Sequence, residues 1–439
     1  MMRRVARRTR MRSFGARRGG RVSRRAVLGA AAAGAVGGAW PARSVARVIG
    51  ANERIRVGFI GVGGRGTLLV DQLPEDGVIV AVADCNLPRA EKCRADRKAS
   101  WDIMADHRRV LDRADVDAVV VATGDFQRVL PCIEACAAGK DVYAEKPLSL
   151  SVREGRALVQ AVRRHDRVLQ VGTQQRSMAI NRLACALLRE GKLGRIEEVR
   201  AINYSGPREA PAGGLPAEPV PAGLDWDAWL SQAAFRPFNA QWMGWMQWRE
   251  FSGGQMTNWG AHGVDQIQWA LGADETGPVA VEPLGEGLNA PVRMRYADGT
   301  VVNFVIEQGK GPMGGAVFVC ERGKLEINRN KVASNPPEIA RDLLAALDEA
   351  EEERRWSDET ALWQARWHME DWFDAMRTRR RPVADVEIGH RSVSVCHLAN
   401  IARRVGRPLQ WDPAAERFVG EDLDALLDPP RRGGHELPA

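Results

Sequence analysis

The stretch Arg54-Ile55-Arg56-Val57-Gly58-Phe59-Ile60 reads as an apolar strand, and Gly61-Val62-Gly63-Gly64-Arg65-Gly66 follows it at once. A G-x-G-x-x-G run that leaves a strand and opens an amphipathic stretch, here Thr67 to Leu73, constrains the fold more than anything else in the chain. Gly61 suits the tight turn, Gly63 lets backbone approach a pyrophosphate, and Gly66 lets the helix pack closely on the strand. Gly64 and Arg65 lie where the helix begins, and its unsatisfied N–H groups and positive dipole end attract phosphate. A second strand, Val78 to Ala83, ends in Asp84, at the spacing where a carboxylate accepts both ribose hydroxyls and repels a 2′-phosphate. NAD is therefore expected. NADP is the alternative, with Arg89 or Arg65 to neutralise the extra phosphate.

The alternation continues through a strand Val116 to Ala122, a helix from about Arg128 to Ala138, and strands Asp141 to Ala144 and Val168 to Val171. This is a parallel α/β pattern, a Rossmann domain over residues 50–175, whose loops after Ile60, Ala83, Ala122 and Ala144 share one carboxyl edge. Chemistry belongs at that edge. From 176 to 425 the strand signals change to Ile196 to Tyr204, Val292 to Tyr296, Val301 to Glu307 and Ala316 to Cys320. Gly206 to Gly223 reads as a long loop, and helices are expected from Pro337 to Arg355 and from Glu359 to Arg380. Acidic Glu349 to Glu353 beside Arg354 and Arg355 is a solvated helix face. Residues 426–439 form a tail.

The formal charge of +7 looks like an invitation to nucleic acid, but residues 1–42 hold eleven arginines and no acid, and without them the balance is −4. A phosphate-tracking surface has no support. The leader, residues 1–46, places Ser23-Arg24-Arg25-Ala26-Val27-Leu28 before the small apolar run Gly29 to Ala39, which resembles a twin-arginine (Tat) export signal. Cleavage is expected after Ala42 or Ala46; an uncleaved basic tail, or a true start at Met11, are the alternatives. The run is too short and Gly-rich for stable membrane insertion. Seven cysteines without a CxxC pair give neither a disulfide framework nor a zinc pattern, so no metal is expected. Cys132 and Cys136, four apart on a helix, read as buried packing residues.

At the carboxyl edge lies Asp141-Val142-Tyr143-Ala144-Glu145-Lys146-Pro147-Leu148, and its Glu-Lys-Pro resembles the signature of the Gfo/Idh/MocA oxidoreductases. Matching segments are Gly172-Thr173-Gln174-Gln175-Arg176-Ser177, Leu224 to Leu230, Trp259-Gly260-Ala261-His262-Gly263-Val264-Asp265, His397 to Ile401 and Trp411-Asp412-Pro413, the last two resembling a secreted bacterial branch. The resemblance covers roughly residues 50–430. It implies an open, mostly antiparallel sheet in the second domain, one face over the active site and the other used in a homo-oligomer, a dimer or tetramer. It also implies a carbohydrate or polyol substrate, and cofactor contacts from Thr123, Asp125, Glu145 and Lys146.

An ammonium at Lys146, beside the nicotinamide, suits a substrate hydroxyl and the negative charge that develops on it. Lys146-Pro147 restricts the lysine to extended geometry and permits a cis bond. Val264, Ile267 and Leu271 fall at helical spacing as a buried stripe, which puts Asn258, His262 and Asp265 on another face. His262 is the expected base for the hydroxyl proton, with Asp265 to orient its ring or bind a second hydroxyl. Inositol-dehydrogenase-like relatives have aspartate at the position of Asn258, so a relay through Asn258 is in doubt. Relatives commonly have Thr-Pro-Asp-x-Trp-His where this chain has Thr123-Gly124-Asp125-Phe126-Gln127-Arg128. Phe126 is the expected replacement for the lost aromatic surface, and Arg128 a charge for a phosphate or acidic sugar. Of seven tryptophans between 226 and 269, most are expected in packing and one or two on ligand.

Free NAD is scarce outside the cytoplasm, so an exported enzyme should hold its cofactor tightly and recharge it in place. Oxidation of a sugar, polyol or derivative paired with a second reduction satisfies this. A redox-neutral glycosidase or epimerase working through transient oxidation does too, and a non-catalytic NAD- and sugar-binding protein is the third reading.

Overall fold

The computed structural model describes residues 53–347 and 364–438; the leader, the acidic run 349–353 and the start of the helix expected from Glu359 lie outside them. The first sheet holds β1 (Ile55–Ile60), β2 (Gly77–Ala83), β3 (Asp102–Met104), β4 (Ala118–Val121), β5 (Asp141–Ala144) and β6 (Leu169–Val171) in the order β3-β2-β1-β4-β5-β6. All its pairings are parallel. Helices cover both faces, so β4 and β5 are buried at every residue, and this is why Ala118-Val119-Val120-Val121 is a continuous apolar run. The strand order reverses between β1 and β4, opening the crevice where ligands of such sheets bind.

The second sheet comprises β7 (Ile196–Ile202), β8 (Ala280–Pro283), β9 (Val292–Arg295), β10 (Val301–Ile306), β11 (Ala316–Cys320), β12 (Gly323–Asn328), β13 (Lys331–Asn335), β14 (Leu409–Asp412) and β15 (Arg417–Phe418). Their order is β13-β12-β11-β7-β10-β9-β8-β14-β15. Among the described strands of this sheet only the β7–β10 pairing is parallel, so the sheet is mostly antiparallel, as expected. One face packs on the helices Ala179–Arg189 and Gly260–Ala270, burying Val199, Ala201, Phe304, Phe318 and Ile327.

The cores do not divide at residue 175. Helix Arg366–Thr378 returns to the first sheet, where Met369, Trp372 and Phe373 share a cluster with Ile55, Val57 and Phe59. The 20-residue helix Val386–Val405 carries Val393 into the first domain's core and Val395, Leu398 and Ala399 into the second's. Asp385 caps it, accepting from Glu387 N at 3.1 Å, and Gly406 at φ 75° ends it, because a left-handed C-terminal residue favours glycine. The helix expected over Val264, Ile267 and Leu271 spans Gly260–Ala270, but it is buried on every side rather than along one stripe. Its polar residues therefore need partners: Gln268 Nε2 donates to Ala273 O and Thr276 O, both at 2.9 Å.

Candidate active site

The glycine turn is built as a phosphate cradle. Gly61 sits at φ +87°, and a Cβ there would stand 3.0 Å from Ala122 O, so the position is closed to side chains. A Cβ on Gly66 would stand 2.2 Å from Gly61 O, so only glycine lets the helix Gly64–Gln72 approach the strand. Gly63 and Gly64 are different: a Cβ at Gly63 meets only Arg89 Nη1, at 3.5 Å, and one at Gly64 meets nothing within 4 Å. The space above the helix N-terminus is open, and no side chain caps it. A pyrophosphate fits there. At the end of β2, Asp84 accepts from Val62 N (3.0 Å) and Asn86 N (2.9 Å), which fixes the carboxylate beside the turn, with Arg89 Nη1 at 3.7 Å.

Farther along the edge, Lys146 follows β5 through a cis peptide bond to Pro147. Its Nζ donates to Asn258 Oδ1 (2.7 Å) and Asn258 O (3.0 Å). Asn258 Nδ2 donates to Gln255 Oε1 at 3.2 Å, which turns the amide oxygen toward the lysine. Burial pushes the Lys146 pKa down to about 8 against the pull of Glu145 and Asp125. His262 lies one helical turn beyond Asn258, 4% exposed, and among the described residues its Nδ1 has no hydrogen-bond partner. Burial first, then the charges of Lys146, Arg329 and Arg65, hold its pKa well below the ordinary histidine value. His262 is therefore neutral at pH 7 and able to accept a proton.

Other expected residues face elsewhere. Asp265 is 0% exposed and does not orient the His262 ring: its Oδ2 accepts from Arg176 Nε (2.8 Å) and its Oδ1 from Ser392 Oγ (2.9 Å). Glu145 is turned under Gly172, accepting from Arg65 Nε (2.8 Å) and from Lys146 N (3.1 Å), so it braces the edge rather than lining the cradle. Asp125 is buried and accepts from Ser252 Oγ at 2.8 Å. Thr123 Oγ1 lies 3.3 Å from Gly124 O, and its methyl packs beside Gly61. Arg128 is 2% exposed and donates to Pro147 O and Thr123 O, so it offers no charge to a ligand. Phe126 joins the cluster of Trp229 and Phe251, at ring-centroid distances of 5.2 and 4.7 Å, and gives no stacking surface.

Trp226, Trp229, Trp242 and Trp248 belong to that same cluster, while Trp259 stands at the site, its ring 6.2 Å from His262. Arg329 is the residue that sequence reasoning misses: its guanidinium lies over Trp259, Cζ 4.9 Å from the ring centroid. Gln175 enters the sequence reading only as part of a matching segment. A Cβ at Gly314 would lie 2.6 Å from Gln175 Nε2, 3.2 Å from His262 Cβ and 3.6 Å from Arg329 Nε, so these three converge. Neither Gln175 nor Arg329 carries a periodicity that marks it. Among the described residues, no cluster of His, Cys, Asp and Glu is placed to hold a metal ion, and no helix is long and apolar enough to cross a membrane.

Comparison with known families decides what this edge belongs to. Residues 55–173 match the NAD-binding Rossmann fold of the Gfo/Idh/MocA oxidoreductase family, and residues 210–437 match that family's C-terminal alpha/beta domain. The chain belongs to the Gfo/Idh/MocA oxidoreductases. Its first domain is thus an NAD-binding Rossmann domain, in keeping with Asp84 and the open glycine turn. Among Gfo/Idh/MocA relatives, inositol 2-dehydrogenase of Acidiphilium cryptum is 32% identical over 153 residues, 34% of this chain and 45% of that protein, so the match spans under half of the relative. The WlbA dehydrogenase of Bordetella pertussis, solved with NADH and UDP-GlcNAcA, shares the fold with a TM-score of 0.61 at 19% identity, over 82% of this chain and 99% of that one. Scyllo-inositol dehydrogenase of Lactobacillus casei, solved with NAD(H) and scyllo-inositol, gives 0.54 at 16%, over 82% and 99%.

Proposed function

We propose that the protein is an NAD-dependent dehydrogenase acting on a CH–OH group of a sugar, polyol or sugar derivative. The observation that carries this is the pairing of Lys146 on Asn258, one turn from a neutral His262, at the carboxyl edge of the first sheet, where the nicotinamide would lie. Nicotinamide bound there supplies the hydride acceptor. Lys146, two of its hydrogens engaged by Asn258, directs the remaining one at the substrate oxygen and stabilises charge developing on it. His262 accepts the hydroxyl proton, so the carbinol leaves as a carbonyl with one hydride and one proton removed. Asp84 favours NAD over NADP, and Arg89 beside it is the residue to test if NADP is taken.

The leader carries a further reading: the enzyme is exported through the Tat pathway with its cofactor tightly held and recycled by a second substrate. The purified protein should then show nicotinamide absorbance that rises and falls with paired substrates, and fractionation should find it in the periplasm. Release of cofactor on gel filtration would remove the recycling reading. Lys146→Ala and His262→Ala should each lower kcat by about 10²–10⁴; unchanged turnover in both would exclude the assigned chemistry. The two adjacent basic side chains favour one alternative, redox-neutral elimination or epimerisation, in which one base abstracts a C–H proton. Exchange of substrate hydrogen with deuterated water, without net NADH, distinguishes it.

A further inference from the structure

We propose that Asp125 is a positioning residue for the Lys146–Asn258 pair, its one buried carboxylate fixing the two segments that carry that pair. The proposal rests on the dehydrogenase reading above and adds a residue to its machinery. Asp125 opens the short turn Asp125–Gln127 that follows β4, and it is 1% exposed. A carboxylate so enclosed costs free energy unless it is paired and hydrogen-bonded. Its partners come from two directions, and each leads to one half of the pair.

In the first direction, Asp125 Oδ2 accepts from Ser252 Oγ at 2.8 Å, and Ser252 Oγ in turn accepts from Gly254 N at 3.1 Å. Gly254 is the first residue of the helix Gly254–Asn258, whose last residue receives the lysine. In the second, Arg128 Nη1 stands 3.5 Å from Asp125 Oδ1, and the same guanidinium donates to Pro147 O, on the residue after Lys146. A guanidinium buried as deeply as that of Arg128 needs a counter-charge, and Asp125 is the acid it pairs with among the described residues. One carboxylate thus steadies the Asn258 helix and the Lys146 loop together.

Charge gives the same group a second effect. Burial pushes Lys146 toward the neutral amine; Glu145 and Asp125 act against it, and Arg65 and Arg329 act with it. His262 is neutral and Asn258 uncharged, so neither adds an opposing charge. The influence is mutual. Burial raises the Asp125 pKa, and Arg128, Ser252 and Lys146 oppose that rise.

Two variants of the full chain separate tether from charge. Asp125→Asn keeps the side-chain shape and an acceptor for Ser252 but removes the charge; Ser252→Ala keeps the charge but cuts the link to the helix. Titration of Lys146 is followed by competitive labelling with acetic anhydride, read peptide by peptide in a mass spectrometer. The alkaline limb of kcat/KM for NAD reduction by sugars and polyols is followed beside it. Asp125→Asn should move both downward from about 8, by about half a unit or more. Ser252→Ala should lower kcat about tenfold or more without moving either downward. NAD affinity, measured by calorimetry without sugar, should be nearly unchanged in both. An unmoved Lys146 in Asp125→Asn would overturn the proposal, as would an equal downward shift or an unchanged kcat in Ser252→Ala. NAD binding weakened about tenfold or more by Asp125→Asn would overturn it too, in favour of the cofactor contact that the family resemblance implies. The two levels of the reading fail separately. Labelling that shifts as expected, in a chain that reduces no NAD with any sugar or polyol, removes the dehydrogenase assignment alone; turnover whose alkaline limb ignores Asp125→Asn removes only the positioning role.

Discussion

An amine buried beside other cations is not a fixed charge, and Lys146 is the residue whose state the solution pH decides. With its pKa near 8, set chiefly by burial, it is an ammonium at pH 7 and loses that proton in mildly alkaline solution. If the ammonium is the active form, kcat/KM for oxidation falls as pH rises through about 8. A rise over the same window would mean that neutral Lys146 is the base. No limb is expected near 6.5, because His262 is already neutral there. Asn258→Asp tests the cause directly: a carboxylate replacing an amide 2.7 Å from Nζ favours the charged amine and should move the limb upward by about one unit or more. A limb that stays in place would show that it belongs to another group. The same shift leaves a mark on stability. The unfolded chain binds a proton at Lys146 up to 10.5 while the folded protein has lost it above about 8, so stability climbs with pH between those values. Lys146→Met should flatten that climb in denaturant melts.

Two neighbouring glycines of one turn separate fold from function at the scale of the element. Gly66→Ala drives a methyl against Gly61 O and should cost about 1–3 kcal/mol or more, seen as a lowered midpoint in urea. Gly63→Ala has room in the apoprotein and should leave that midpoint nearly unchanged while weakening NAD binding about tenfold or more, measured by calorimetry. The first sheet is legible in sequence for the reason this turn is: buried parallel strands are uninterrupted apolar runs, and Asp141–Ala144 reads with its observed bounds. Ala316–Cys320 also reads with its observed bounds, as an apolar run, although it is antiparallel and buried only at alternate residues. The strands that escape a sequence reading are short or polar and lie toward the sheet edges. Strand β13, Lys331-Val332-Ala333-Ser334-Asn335, holds no long apolar run and alternates exposed and half-buried, and β3 has only three residues. Arg329 lies in the turn of the β12–β13 hairpin, and a hairpin that sequence does not reveal hides the residue with it. Asp265 misleads for a different reason: helical spacing places it near His262 but says nothing of Arg176, which arrives from 89 residues away.

At the scale of the molecule, the site exists only because parts distant in sequence are tied to one helix. His397 on the helix Val386–Val405 pairs through Nε2 with Ser149 O at 3.1 Å, just past the Lys146 loop. Three residues on, Asn400 Nδ2 donates to Gly253 O at 2.8 Å, just before the helix that carries Asn258. The two anchors therefore hold both partners of the Lys146–Asn258 hydrogen bond, and Ser392 on the same helix holds Asp265. Burial keeps His397 far toward the neutral form, its pKa down to about 4, so the Nε2 contact to a carbonyl requires the proton on that nitrogen. Asn400→Leu leaves Gly253 O without this donor and should cost about 1–3 kcal/mol of stability. If the anchor sets the position of Asn258, the variant should also lower kcat and shift the Lys146 limb upward toward 10.5, because a lysine released from its buried seat regains solvent. A lowered melting temperature with an unmoved pH profile would mean that the helix supports the fold without setting the geometry of the site.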